Sequence, residues 1–143
     1  MTNHPLDLYA YAERRNIDVD WIPMRRATSL SVPLGDRYAI ALDPWKLGSL
    51  AQETVCLAHE LGHCKTGSFY NRHAALDIRQ KHENRADKWA IRQLVPEDAL
   101  DQAVADGYTD LPSLAEHFCV TVPFMRKAVC WYTHGNLAAE MYA

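Results

Sequence analysis

Residues 49–66 read SLAQETVCLAHELGHCKT, and this stretch decides the fold. Ser49 and Gln52 have the spacing of a capping box, and no proline interrupts the run through His63, so a helix is expected here. Inside it, His59-Glu60-Leu61-Gly62-His63 forms an H-E-x-x-H motif. Residues at i and i+4 of a helix project from one face, so both imidazoles can reach one metal ion while Glu60 lies beside them, able to hold a water. Zinc lowers the pKa of water to about 7 and an adjacent carboxylate can carry the proton to a leaving amine, which is hydrolysis in outline. With seven histidines and seven glutamates in 143 residues, the motif is expected by chance about 0.02 times. The competing reading makes His59 and His63 ordinary helix residues, hydrogen-bonded in the core. Gly62 argues against it: a glycine inside a helix costs about 1 kcal/mol relative to alanine and marks the close approach of another group, a neighbouring segment or a substrate.

Downstream, Gly67, Ser68 and Asn71 mark a loop, and a second long helix is expected from about Asp77 to Leu94, stopped by Pro96. A catalytic zinc site needs three protein ligands and an open position, and Glu83 on this helix is the candidate third ligand. Its face carries Ala86, Asp87 and Ala90, small enough to let the two helices pack closely and bring Glu83 inward. Asp87 is placed to accept a hydrogen bond from the free ring nitrogen of His59 or His63 and to fix its tautomer. The alternative for Glu83 is a solvated charge paired with Arg79 or Lys88. Cys56 shares a face with His59 and His63 and offers a closed structural site instead, although a cysteine there is more often a small buried residue. Cys64 points about 100° away around the helix and is not counted as a ligand. In the loop after the motif, Tyr70, Arg72 and His73 can each donate to the oxyanion of a peptide tetrahedral intermediate. His82 falls on a different face from Glu83 and is expected at the surface. Trp89 is expected in the core or between helices, under the stems of Arg85 and Arg92, and Trp21, Trp45 and Trp131 are read as packing residues.

Upstream, Pro5 suits a first helical turn capped by Asn3 or His4, in a short helix ending near Asn16. The period then changes to alternation: Ile17, Val19 and Trp21, then Leu30 and Val32 between serines, then Tyr38, Ile40 and Leu42. Pro33, Gly35 and Asp36 suit a hairpin turn between the last two strands. Beyond the second long helix, shorter helices are expected to start near Pro96, Asp110 and Thr121. The order gives an α+β fold: a small N-terminal antiparallel sheet, a helical core at 49–96 holding the metal, and a C-terminal helical segment. The pair at 110–132 has the spacing of a helix-turn-helix, which raises a DNA-binding module as an alternative. Its second helix would begin Thr121-Val122-Pro123-Phe124, with only Arg126 and Lys127 basic, a poor match to phosphates and base edges.

A length of 143 residues with 48% hydrophobic content and a net charge of −3 fits one domain over 1–143, excludes a disordered chain, and offers no global positive charge for nucleic acid or anionic lipid. No apolar run is long enough for a signal peptide or a membrane span, so the expected setting is the cytoplasm. The cysteines Cys56, Cys64, Cys119 and Cys130 form no C-x-x-C pair and are expected as free thiols.

Taken together, the stretch from Ser49 to Pro96 resembles the ImmA/IrrE-type metallopeptidases, gluzincin-like proteins in which an H-E-L-G-H helix precedes a helix reading E-x-x-A-[DN]-x-[FW]-A and a leucine-proline stop. The matching residues are His59-Glu60-Leu61-Gly62-His63, then Glu83-Asn84-Arg85-Ala86-Asp87-Lys88-Trp89-Ala90, then Leu94-Val95-Pro96, about a third of the chain. The resemblance implies a zincin-like core in which His59, His63 and Glu83 bind zinc and Glu60 is the general base. It also implies a protein substrate, often a helix-turn-helix repressor of a phage, mobile element or stress regulon, inactivated by cleavage. The competing class is a regulatory protein that holds such a repressor without cutting it.

Overall fold

In the computed structural model, which describes residues 3–71, 73–135 and 137, the motif helix is α2, Leu50–Thr66. Ser49 caps it by accepting from the Gln52 N–H at 3.1 Å, and Gly67 ends it in the left-handed region at φ +65°, with its N–H on the His63 carbonyl. The second long helix, α3, Leu76–Leu94, crosses α2 where the sequence is smallest. A Cβ on Gly62 would lie 2.5 Å from the Ala86 carbonyl oxygen, so the group that Gly62 admits is the backbone of the neighbouring helix. Around this crossing Leu57, Ala58 and Leu61 of α2 and Ala86, Ala90, Ile91 and Leu94 of α3 are buried, and their removal from water drives the pairing.

Before them come α1, Pro5–Arg14, and the strands β1, Ile17–Trp21, β2, Ser29–Leu34, and β3, Arg37–Leu42. His4 caps α1, accepting from the Leu6 N–H at 3.1 Å. Asn3 instead donates its amide to the carbonyls of Leu94 and Phe118 at 2.8 and 2.7 Å. The α+β fold holds, but the sheet is mixed rather than antiparallel. Its order is β1-β3-β2, with β1 parallel to β3 and β2 antiparallel to β3. The hairpin through Gly35, at φ +63°, follows from the turn residues. The parallel pair arises because residues 22–28 cross the end of β3, with Ile22 N–H on the Leu42 carbonyl and Asp43 N–H on Thr28, each at 2.9 Å. Buried Asp43 then accepts from the Met24 N–H at 2.9 Å, so this crossing is fixed.

The central strand buries Ile40 and Leu42 against α2. The edge strand β2 is inverted in polarity: Ser29 and Ser31 are partly buried, whereas Leu30 and Val32 are 39% and 38% exposed. Three shorter helices complete the described chain, α4, Glu97–Ala105, α5, Leu111–Phe118, and α6, Val122–His134, starting where Pro96, Asp110 and Thr121 place them. Phe118 of α5 and Phe124, Met125 and Ala128 of α6 join the core. Trp89 is buried as expected and packs on Tyr11, with ring centroids 5.7 Å apart. Arg92, however, lies over Trp131 at 4.8 Å; Trp21, although 64% exposed, sets its ring edge-on to Tyr9 at 6.3 Å, whereas Trp45 is 76% exposed and is not a packing residue. No disulfide links Cys56, Cys64, Cys119 and Cys130 among the described residues.

Candidate metal centre

α2 and α3 bring His59, His63 and Glu83 together, with one ligand atom of each lying within 4.8 Å of the others. The two Nε2 atoms are 3.2 Å apart, and Glu83 reaches His59 Nε2 at 2.6 Å and His63 Nε2 at 3.2 Å. Two ligands about 2.0–2.1 Å from a tetrahedral metal lie roughly 3.3 Å apart, so the two 3.2 Å separations fit an ion, whereas the 2.6 Å between Glu83 Oε2 and His59 Nε2 is a direct hydrogen bond. Ring orientation fits as well. His59 Nδ1 donates to Asp87 Oδ1 at 2.7 Å and His63 Nδ1 donates to the Ser68 carbonyl at 2.5 Å. Each ring is thereby held by its Nδ1 and turns Nε2 toward Glu83, the orientation a metal-binding imidazole needs. Cys56 is not a member of this group; its thiol hydrogen-bonds with Ser29, and burial, with Glu60 nearby, pushes its pKa up.

These groups also hold one another electrostatically. Burial alone would lower the His59 pKa, but hydrogen bonds to Asp87 and Glu83 outweigh it and raise it to about 10. Burial would likewise raise Glu83 and Asp87, yet the His59 imidazolium holds both below the usual carboxylate range. Lys127 of α6 contributes to the same effect, donating to Asp87 Oδ2 at 2.9 Å. The C-terminal helix pair is thus tied to the site through Asp87, a link that local periodicity could not reveal.

Glu60 is buried beside the two imidazoles. Ser29 and Ser31 each donate to it, at 2.7 Å to Oε2 and at 2.7 Å to Oε1. Two residues apart on a strand, the serines project from the same face, and this contact accounts for the inverted polarity of β2. The alternation of serine with leucine and valine was visible, but which set faces inward depends on a carboxylate 29–31 residues away. A cleft of about 450 Å³ opens over the site, walled by residues 27–31 on one side and by Ser68, Phe69 and Tyr70 on the other. Tyr70 donates to Glu83 Oε1 at 2.8 Å, and burial, followed by Glu83, raises its pKa. His82 is half-buried rather than at the surface, its ring 6.0 Å from that of Tyr70. His73 is exposed, and Arg72 lies outside the described residues.

Two imidazoles and a carboxylate that could hold a metal ion thus converge beside a second carboxylate in an open cleft. Comparison with known families agrees: the chain belongs to the peptidase M78 family, described as the IrrE N-terminal-like domain, whose profile matches residues 12–129. No curated protein and no solved structure matches the chain. No helix among the described residues is long and apolar enough to cross a membrane.

Proposed function

We propose that this chain is a zinc-dependent peptidase that cleaves a partner protein, with His59, His63 and Glu83 as the metal ligands and Glu60 as the general base. The observation that carries the reading is the doubly held Glu60 carboxylate beside the converging ligand atoms. Two imidazoles and a carboxylate suit zinc, which when bound polarises a carbonyl and acidifies water. Glu60 accepts a proton from the attacking water and delivers it to the amide nitrogen as the C–N bond breaks. Ser29 and Ser31 fix the direction of that carboxylate, and Asp87 and the Ser68 carbonyl fix the imidazoles. The edge strand β2 forms one wall of the cleft, which suits a peptide laid alongside it in extended form.

The ImmA/IrrE resemblance extends this reading to a helix-turn-helix repressor as substrate, in the cytoplasm. A DNA-binding role for the α5–α6 pair is disfavoured, because Phe124, Met125 and Ala128 are buried and Lys127 is engaged by Asp87. The test compares the wild type with Glu60→Gln in the native host, labelling new protein N-termini. One protein cleaved only with the wild type supports the proposal. A partner retained intact by both forms makes the chain a non-cleaving regulator.

A further inference from the structure

A peptide oxygen that gains negative charge during hydrolysis needs donors already aimed at it. Several side chains lining the cleft carry a hydroxyl. Ser29 and Ser31 are committed to Glu60, and Ser68 to Thr66 at 2.5 Å. Thr28 has no such commitment, and Tyr70 donates to Glu83, an acceptor that is itself a candidate metal ligand; a phenol is ordinarily a stronger donor than an alkyl hydroxyl.

The loop around Tyr70 is held at its root. The Ser68 N–H donates to the His63 carbonyl at 3.2 Å, and the Ser68 carbonyl accepts from His63 Nδ1 at 2.5 Å. The ring itself lies against His82, centroids 6.0 Å apart and planes at 30°. His82 Nδ1 is buried with no hydrogen-bond partner, so the face of that imidazole, rather than its polarity, is what supports the phenol. The Tyr70 hydroxyl is 2.8 Å from Glu83 Oε1, which sets it one hydrogen bond from the ligand group and inside the same cleft as Glu60.

We propose that Tyr70 is a catalytic residue, its hydroxyl exchanging Glu83 for the carbonyl oxygen of the scissile peptide as the water oxygen bonds to the carbonyl carbon. Tyr70 keeps its proton throughout. The proton that moves passes from water to Glu60 and on to the leaving nitrogen, and the C–N bond breaks. The inference rests on the peptidase reading.

The test uses the zinc-loaded chain as wild type, Tyr70→Phe and Thr28→Val. Zinc affinity is measured by competition with a chromophoric chelator. Calorimetry then gives the affinity for a leucine-containing phosphonamidate dipeptide, whose phosphorus mimics the tetrahedral carbon, and for the hydroxamate with the same side chain. Tyr70→Phe is expected to keep its zinc and hydroxamate affinities while binding the phosphonamidate about 10- to 100-fold more weakly. Thr28→Val is expected to match the wild type in all three. Unchanged phosphonamidate binding in Tyr70→Phe, or an equal loss for both inhibitors, would overturn the proposal. Loss of zinc from Tyr70→Phe would also overturn it, making Tyr70 a prop for Glu83. If the zinc-loaded wild type binds neither inhibitor, the peptidase reading falls and this assignment falls with it.

Discussion

Replacing Gly62 by alanine sets two effects of opposite sign against each other. Helix propensity alone favours alanine by about 1 kcal/mol. Against this, the added methyl would meet only backbone of α3: the Ala86 carbonyl oxygen at 2.5 Å, its Cα at 3.0 Å and its carbonyl carbon at 3.1 Å. Carbon–oxygen contacts relax to about 3.3 Å or more, so the helices must part by roughly 0.8 Å. Overpacking of this kind costs about 1–3 kcal/mol, and here no flexible side chain can give way. The net expectation is a loss of up to about 2 kcal/mol, read as a fall in the urea midpoint at unchanged slope. The same displacement reaches the site, because His63 follows Gly62 and Ala86 lies one turn beyond Glu83. Productive geometry tolerates about 0.5 Å, so zinc affinity should fall about tenfold in a chelator competition. A Gly62→Ala protein as stable as the wild type, with full zinc affinity, would refute the reasoning.

Zinc binding should release a proton from His59, whose pKa the hydrogen bonds to Asp87 and Glu83 raise to about 10 against burial. Zinc affinity should therefore climb about tenfold per pH unit below that value, and calorimetry in buffers of differing ionisation enthalpy reads the proton directly. Ser29→Ala and Ser31→Ala each strip a donor from a buried carboxylate and should cost about 1–3 kcal/mol in denaturant melts while zinc stoichiometry stays at the wild-type level. Cys64 is buried, and desolvation with Glu60 nearby raises its pKa to about 12. It should resist iodoacetamide at pH 8 in the folded protein and react once unfolded. Because the unfolded chain releases that proton near pH 9 and the folded one does not, the Cys64 contribution to stability should decline as pH rises from there towards 12.

The helical stretch and the convergence of the candidate site residues were legible because their information is local. A four-residue spacing fixes His59 and His63 on one face, alanines at 86 and 90 announce a close crossing, and Gly62 marks where that crossing falls. Glu83 and Asp87 follow from the same geometry, since they are one turn apart on the facing helix. The sheet was legible only as strands. The alternation of β1 and β3 shows their faces, but their parallel pairing depends on the crossing of residues 22–28 and on Asp43. Ser29, Ser31 and Lys127 meet their carboxylates across 29–40 residues of chain, a separation no periodicity reports. Trp45 departs from the packing expectation because aromatic size predicts burial on average and says nothing of a particular loop.

The inward serines of β2 carry a consequence for how the chain finds its fold. A slip of one residue in the pairing with β3 would exchange the faces of the strand, hiding Leu30 and Val32 and expelling the serines. Apolar transfer by itself favours the slipped alignment. Glu60 opposes it, since its carboxylate would then be buried without donors. Register selection in this edge strand therefore falls to the group proposed as the general base. Substitutions at Glu60 that keep an acceptor oxygen should preserve the alignment, whereas an apolar residue there removes the reason for the strand to choose it.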